Sequence, residues 1–174
     1  AFTVAEVWTS MDYEGSYLKP NQNGHRQYLC DYLDGAKGIV SAFDFTTKGI
    51  LQVACATGEY WRLQDSEGKP SGLLGWWPSK AVTLIDNHDT GSAQNHWPFP
   101  SHQVAAGYAY ILTHPGTPSI FWDHYFQWGP DMKEQIKSLA SLRREQKIHS
   151  TSKVEIIKAE QSIYVAIIDG KTMV

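Results

Sequence analysis

Leu84-Ile85-Asp86-Asn87-His88-Asp89-Thr90-Gly91 decides how this chain is read. An apolar run, Ala81 to Ile85, stops abruptly in two carboxylates, an imidazole and residues that favour turns. A short strand of a parallel barrel delivers catalytic groups in this way, because loops leave the core at the carboxyl ends of the strands. Three more apolar runs end alike. Ala1 to Val4 leads to Glu6, Ile39 to Phe43 to Asp44, and Pro118 to Trp122 to Asp123 and His124. Four strands, each with an acid near its carboxyl end, predict an active-site rim.

Helical periodicity fills the spaces between these runs. Tyr28, Leu29, Tyr32 and Leu33 recur at helical spacing over residues 24–34, and Gly35 and Gly38 close that segment. Thr46 or Thr47 is expected to cap a second helix carrying Ile50, Leu51, Val53 and Ala54, with Glu59 to Leu63 as its extension. Ser101 is expected to cap a third, with Val104, Tyr108, Ile111 and Leu112 inward. A fourth starts at Asp131 with Ile136, Leu139, Ala140 and Leu142, and Arg143 and Arg144 suit its negative end. Residues 11–23 and 65–74 read as loops. From Lys153 the period becomes two, through Val154, Ile156, Tyr164, Ala166 and Ile168, with Asp169-Gly170 as a hairpin turn. The expected fold class is therefore α/β: residues 1–150 form about half of a (β/α)8 TIM barrel, and residues 151–174 begin an antiparallel β-sheet domain.

Composition narrows the function. A length of 174 residues with 42% hydrophobic content suits one ordinary core. The net charge is −3 and the longest basic cluster is Arg143-Arg144, which argues against nucleic acid as a partner. No stretch approaches the roughly 18 apolar residues of a membrane span, and no signal-type segment opens the chain. The chain begins at Ala1 inside a strand pattern and stops at Val174 in mid-alternation, so it reads as a fragment. Cys30 and Cys55 both fall in helix-like segments and read as free buried thiols. With 7 Trp, 9 Tyr and 6 Phe, aromatic planes are abundant enough to serve both the core and a sugar-binding surface, where the apolar face of a pyranose packs flat on a ring. Trp76-Trp77 is the candidate platform.

Among the acids, Glu6 lies between Ala5 and Val7-Trp8, where apolar bulk would favour the neutral carboxyl of a general acid. The alternative is a plain surface acid after a strand. His88 and Asp89 suit the holding of sugar hydroxyls and the stabilisation of positive charge at an anomeric carbon, although a His beside an Asp also serves structure alone. Asp86, Asn87 and Asp89 make a metal site conceivable, but neighbouring strand residues point to opposite faces and no second His or Cys has ligand spacing, so no metal ligand is assigned. Asp44, Asp123 and His124 are expected to anchor loops or support the site from behind.

Val4-Ala5-Glu6-Val7-Trp8, Ala42-Phe43-Asp44-Phe45-Thr46-Thr47-Lys48-Gly49, Gly75-Trp76-Trp77-Pro78 and Ile85-Asp86-Asn87-His88-Asp89-Thr90-Gly91-Ser92 together resemble the plant alpha-amylases, as do Trp97 to Pro100 and Tyr108 to Gly116. The resemblance implies strands five to eight of the barrel and a calcium-containing, retaining enzyme that cleaves alpha-1,4 links within starch. It implies that Glu6 is the proton donor and Asp89 the transition-state stabiliser, that His88 and Trp8 contact substrate, and that Trp76 and Trp77 form a surface starch-binding site. It also places the family's nucleophile, an Asp on the fourth strand, and most calcium ligands outside these residues, so that the segment alone is expected to be inactive. A secreted, monomeric parent is the family expectation, with plastid and cytosol as the alternative compartments. The competing expectations are a starch-binding pseudoenzyme and a different barrel glycosidase or transglycosylase with the same rim.

Overall fold

The computed structural model describes residues 2–174, so the Ala1 end of the first expected strand lies outside the described residues. β1 is Val4–Ala5. A small antiparallel hairpin of β2 (Tyr13–Glu14) and β3 (Tyr17–Leu18) occupies part of the segment expected to be loop. There follow α1 (Asn23–Gly35), β4 (Ser41–Phe43), α2 (Phe45–Thr57), the short α3 (Leu73–Trp76) and β5 (Ala81–Thr83). Then come α4 (Val104–Thr113), β6 (Thr117–Pro118), α5 (Trp122–Phe126) and α6 (Pro130–Glu145).

The four strands β1, β4, β5 and β6 lie side by side in chain order, every neighbouring pair parallel. Ala5, Ala42 and Ala81 pair in one row across the first three. Sequential parallel strands joined by helices are the growth pattern of a (β/α)8 barrel, and four of them make a partial one. Beneath the helices, Leu29, Leu33, Ile50, Leu51, Leu73, Leu74, Ile85, Tyr108 and Ile111 pack into one apolar core. In α1 the stripe is narrower than its periodicity suggests, because Leu29 and Leu33 are fully buried whereas Tyr28 and Tyr32 are exposed.

Three local expectations are corrected. The cap of α2 is Asp44, not Thr46 or Thr47, since its carboxylate accepts from the Thr47 N–H at 2.8 Å. Gly58, at φ 74°, ends α2 in the left-handed region, so Tyr60–Leu63 is a separate 3-10 turn instead of an extension. The fourth strand is only Thr117–Pro118, and Trp122 already begins α5, where the rings of Trp122 and Phe126 pack at a tilt with centroids 4.1 Å apart across one helical turn. Asp123 and His124 therefore ride on a helix, not on a strand end.

Past α6, β7 (Val154–Glu160), β8 (Ile163–Ile168) and β9 (Thr172–Met173) form an antiparallel sheet over a small core of Ile148, Ala166 and Ile168. Asp169 and Gly170 turn β8 into β9 with φ of 52° and 69°, the left-handed region that a short polar Asp tolerates and that glycine, without a Cβ, enters freely. The sheet docks through His114, whose Nε2 lies 2.9 Å from the Tyr164 hydroxyl and whose ring stacks 3.9 Å from that of Tyr110. His114 is fully buried, and loss of water pushes its pKa from 6.5 down to about 4.

Between those two values the unfolded chain binds a proton at His114 and the folded one does not, so acidification from pH 6.5 to 4 removes stability. Denaturant unfolding at a series of pH values is expected to show a steeper fall for the unaltered protein than for His114→Gln across that window. The difference should reach roughly 3 kcal/mol.

Candidate active site

Glu6 follows β1 directly, and the segment 84–91 follows β5, so both arrive at the same end of the sheet. The segment turns because Asp86 and Asn87 occupy its hydrogen-bonding groups. Buried Asp86 accepts from the Thr90 hydroxyl at 3.0 Å and from the Phe99 N–H at 3.2 Å. Asn87 Oδ1 accepts from the N–H groups of Asp89 at 3.1 Å and Thr90 at 2.9 Å, an Asx turn that lifts His88 and Asp89 onto the rim. A Cβ on Gly91 would sit 2.7 Å from the Phe121 ring and 3.0 Å from the Asn87 carbonyl, so only glycine lets the turn close against α5.

The turn brings the expected rim residues together. One ligand-type atom from each of Glu6, His88 and Asp89 falls within 4.8 Å of the others. His88 Nε2 is 3.3 Å from Asp89 Oδ1, the same oxygen that accepts from Gln94 Nε2 at 2.5 Å. Asn87 Nδ2 donates to Glu6 Oε1 at 2.8 Å. Glu6 itself is exposed, so the apolar enclosure expected of its neighbours is not provided by these residues. The indole of Trp8 stacks instead on Phe45, with ring centroids 4.3 Å apart. Trp8 remains 52% exposed and lines a cleft of about 390 Å³ with Met11, Tyr13, His25, Phe45 and Trp97.

Below the rim lies a buried ionic cluster that sequence reasoning missed. Asp86 is 3.5 Å from Lys48 Nζ and 3.6 Å from His124 Nε2. Lys48 also donates to the Trp97 carbonyl at 2.9 Å and to Gln52 Oε1 at 2.7 Å. Burial lowers its pKa to about 8 against the pull of Asp86. His124, lowered by burial, shares a hydrogen bond with the Tyr108 hydroxyl at 3.0 Å. One signal was available: a lysine in the first turn of a helix opposes the macrodipole and calls for an anion nearby. Asp44 is an anchor too, accepting from the N–H groups of Thr47, Leu73 and Leu74 and from the Thr47 hydroxyl. Asp123 accepts from Ser92, tying α5 to the rim loop.

Trp76 and Trp77 precede β5 and so lie away from the rim. Trp76 is 36% exposed, with the Arg26 guanidinium 4.0 Å from its ring centroid, while Trp77 is half-buried against the core and approaches Gly38. The trio of Glu6, His88 and Asp89 is a poor calcium site. Calcium takes six to eight oxygen ligands, whereas here two carboxylates, each already hydrogen-bonded, face one imidazole. No helix among the described residues is long and apolar enough to cross a membrane. Cys30 and Cys55 are free, and burial pushes the Cys55 thiol up to about 12.

Residues 145–174 match the family described as the alpha-amylase C-terminal beta-sheet domain. The alpha-amylase type B isozyme of Hordeum vulgare is 57% identical over 125 residues, which cover 72% of this chain and 80% of that sequence. The chain belongs to the alpha-amylase family. The probable alpha-amylase 2 of Arabidopsis thaliana is 56% identical over 170 residues, 98% of this chain but 41% of its own length. The chain thus spans well under half of that relative. A solved alpha-amylase from H.orenii superposes with a TM-score of 0.59 over 95% of this chain and 40% of its own, at 14% identity, which bears on the fold alone.

Removing the anion from the buried cluster should be costly. Asp86→Ala leaves the buried Lys48 amine without its counter-charge, and is expected to destabilise the folded protein by roughly 3–5 kcal/mol, measured as the change in unfolding free energy.

Proposed function

We propose that this chain is the carboxyl-terminal part of an alpha-amylase that hydrolyses internal alpha-1,4 links of starch and related glucans with retention. The observation that carries the reading is the meeting of Glu6, His88 and Asp89 within 4.8 Å at the rim of a partial amylase barrel. In this reading Glu6 donates a proton to the glycosidic oxygen and retrieves one from the attacking water. Asp89 stabilises the positive charge that develops at the anomeric carbon, with His88 on the sugar hydroxyls. Trp8 offers its exposed indole to a sugar ring in the adjoining cleft.

Retention also requires a carboxylate nucleophile about 5 Å from the acid. The resemblance assigns that role to an Asp on the preceding barrel strand, which these residues do not include. The 174-residue chain is accordingly inactive by itself, and activity belongs to the longer protein. Calcium, which the family resemblance implies, is held there by residues other than these. We place the boundary between barrel and terminal sheet at residues 150 and 151. The full enzyme is read as a secreted monomer, with plastid or cytosol as the alternative compartment, and with no nucleic acid or membrane partner.

In the full-length enzyme, Glu6→Gln should lower turnover of a maltooligosaccharide by a factor of about 100 or more, because proton donation to the leaving sugar is lost. Retention of most of the rate would overturn the assignment. Trp76→Ala with Trp77→Ala should weaken adsorption to starch granules several-fold while leaving kcat/KM on short soluble glucans within about twofold, since rings away from the rim contribute binding only.

A further inference from the structure

The hydrogen bond between Asn87 and Glu6 joins residues 81 apart in the sequence, and its polarity is fixed by the rest of the turn. An asparagine amide has an accepting end and a donating end, which hydrogen-bond partners alone distinguish. Asn87 Oδ1 accepts from two backbone N–H groups, of Asp89 at 3.1 Å and Thr90 at 2.9 Å. Reversing the amide would set its NH2 against two donors. The end that faces Glu6 is therefore the NH2, which donates and cannot accept. Further hydrogen bonds lock the turn: the Asn87 N–H donates to the Thr90 hydroxyl at 3.0 Å, and the Gly91 N–H donates to the Asn87 carbonyl at 2.8 Å.

We infer that Asn87 is a positioning residue that decides which oxygen of Glu6 carries the catalytic proton. Oε1 accepts from Nδ2 at 2.8 Å, so a proton on that oxygen would be driven against the amide hydrogen. The acid form of Glu6 holds its proton on Oε2, and the carboxyl plane is fixed by the anchored amide. The inference rests on the reading of Glu6 as proton donor. In that reading the proton passes from Oε2 to the glycosidic oxygen as the bond to the anomeric carbon breaks. Oε2 then recovers a proton from the water that attacks the glycosyl intermediate, so acid and base duties fall on one oxygen. Because the same side chain caps the turn that carries His88 and Asp89, the acid and the charge-stabilising group keep a common frame.

Asn87→Asp separates the two roles of the side chain. An aspartate retains an acceptor for the Asp89 and Thr90 N–H groups and so preserves the Asx turn, but it has no NH2 to offer Glu6. The test compares the full-length unaltered enzyme, Asn87→Asp and Glu6→Gln on a maltooligosaccharide, whose leaving sugar needs a proton, and on an alpha-maltosyl fluoride, whose fluoride departs with little proton assistance. Thermal unfolding accompanies each variant. Because the water step is common to both substrates and also needs Glu6, the comparison is made in kcat/KM, which reports the bond-breaking step alone: Asn87→Asp is expected to lose about 30-fold or more on the oligosaccharide, to lose less than about threefold on the fluoride, and to unfold at nearly the unaltered temperature. Glu6→Gln should show the same split more strongly. If Glu6→Gln splits the substrates while Asn87→Asp loses nothing, or loses equally on both, the inference about Asn87 is wrong. If Glu6→Gln itself loses equally on both, the reading of Glu6 as proton donor is wrong and the inference falls with it. Should Asn87→Asp unfold early, Asn87→Ser, which also keeps an acceptor for the turn, takes its place with the same expected split.

Discussion

Asp86 is the constraint on which the site depends. Its carboxylate is buried between Lys48 on α2 and His124 on α5, and it also accepts from Thr90 and from the Phe99 N–H. A buried carboxylate is tolerated only when its oxygens are occupied and a cation lies close. Here the cation, the imidazole and the loop donors come from four separate segments. Satisfying one charge therefore fixes α2, α5, the turn above β5 and the end of the loop that leads into α4 relative to one another. The exposed rim groups sit one turn above this point and inherit its rigidity.

That arrangement divides labour by depth. Lys48 is fully buried and does no chemistry on a ligand, while Glu6 and His88 reach solvent. At the buried level, loss of water disfavours the ionisation of Lys48 and of His124. The exposed level consists of groups open to solvent. Asn87 connects the levels, since its backbone belongs to the turn above Asp86 and its side chain reaches Glu6.

Much of this was legible in the sequence. The apolar runs before Glu6, Asp44 and Asp86 mark β1, β4 and β5, because strands buried on both faces read as continuous apolar runs. The leucine repeat of α1 and the period change after Lys153 mark the helix and the terminal sheet. The failures have physical causes. Pro118 to Trp122 has strand-like composition, but rings four residues apart pair on a helix, and that preference acts through side-chain contact. Asp44, expected to anchor loops or support the site, does so through the Thr47 hydroxyl and the N–H groups of Thr47, Leu73 and Leu74, backbone donors that have no identity in the sequence. The pairing of Lys48 with Asp86 spans 38 positions and is set by strand order, which periodicity does not encode.

The distance between Glu6 and Asn87 is in the same way a product of register. β4 lies between their strands, and its Ala42 pairs with Ala5 on one side and Ala81 on the other. Slipping either pairing by one residue would move a rim group by about 3.3 Å along the strand and turn it to the opposite face. A hydrogen bond of 2.8 Å cannot survive that displacement. In that row Ala42 and Ala81 are fully buried and Ala5 packs against the same core. The contact between Glu6 and Asn87 thus depends on small side chains within the sheet.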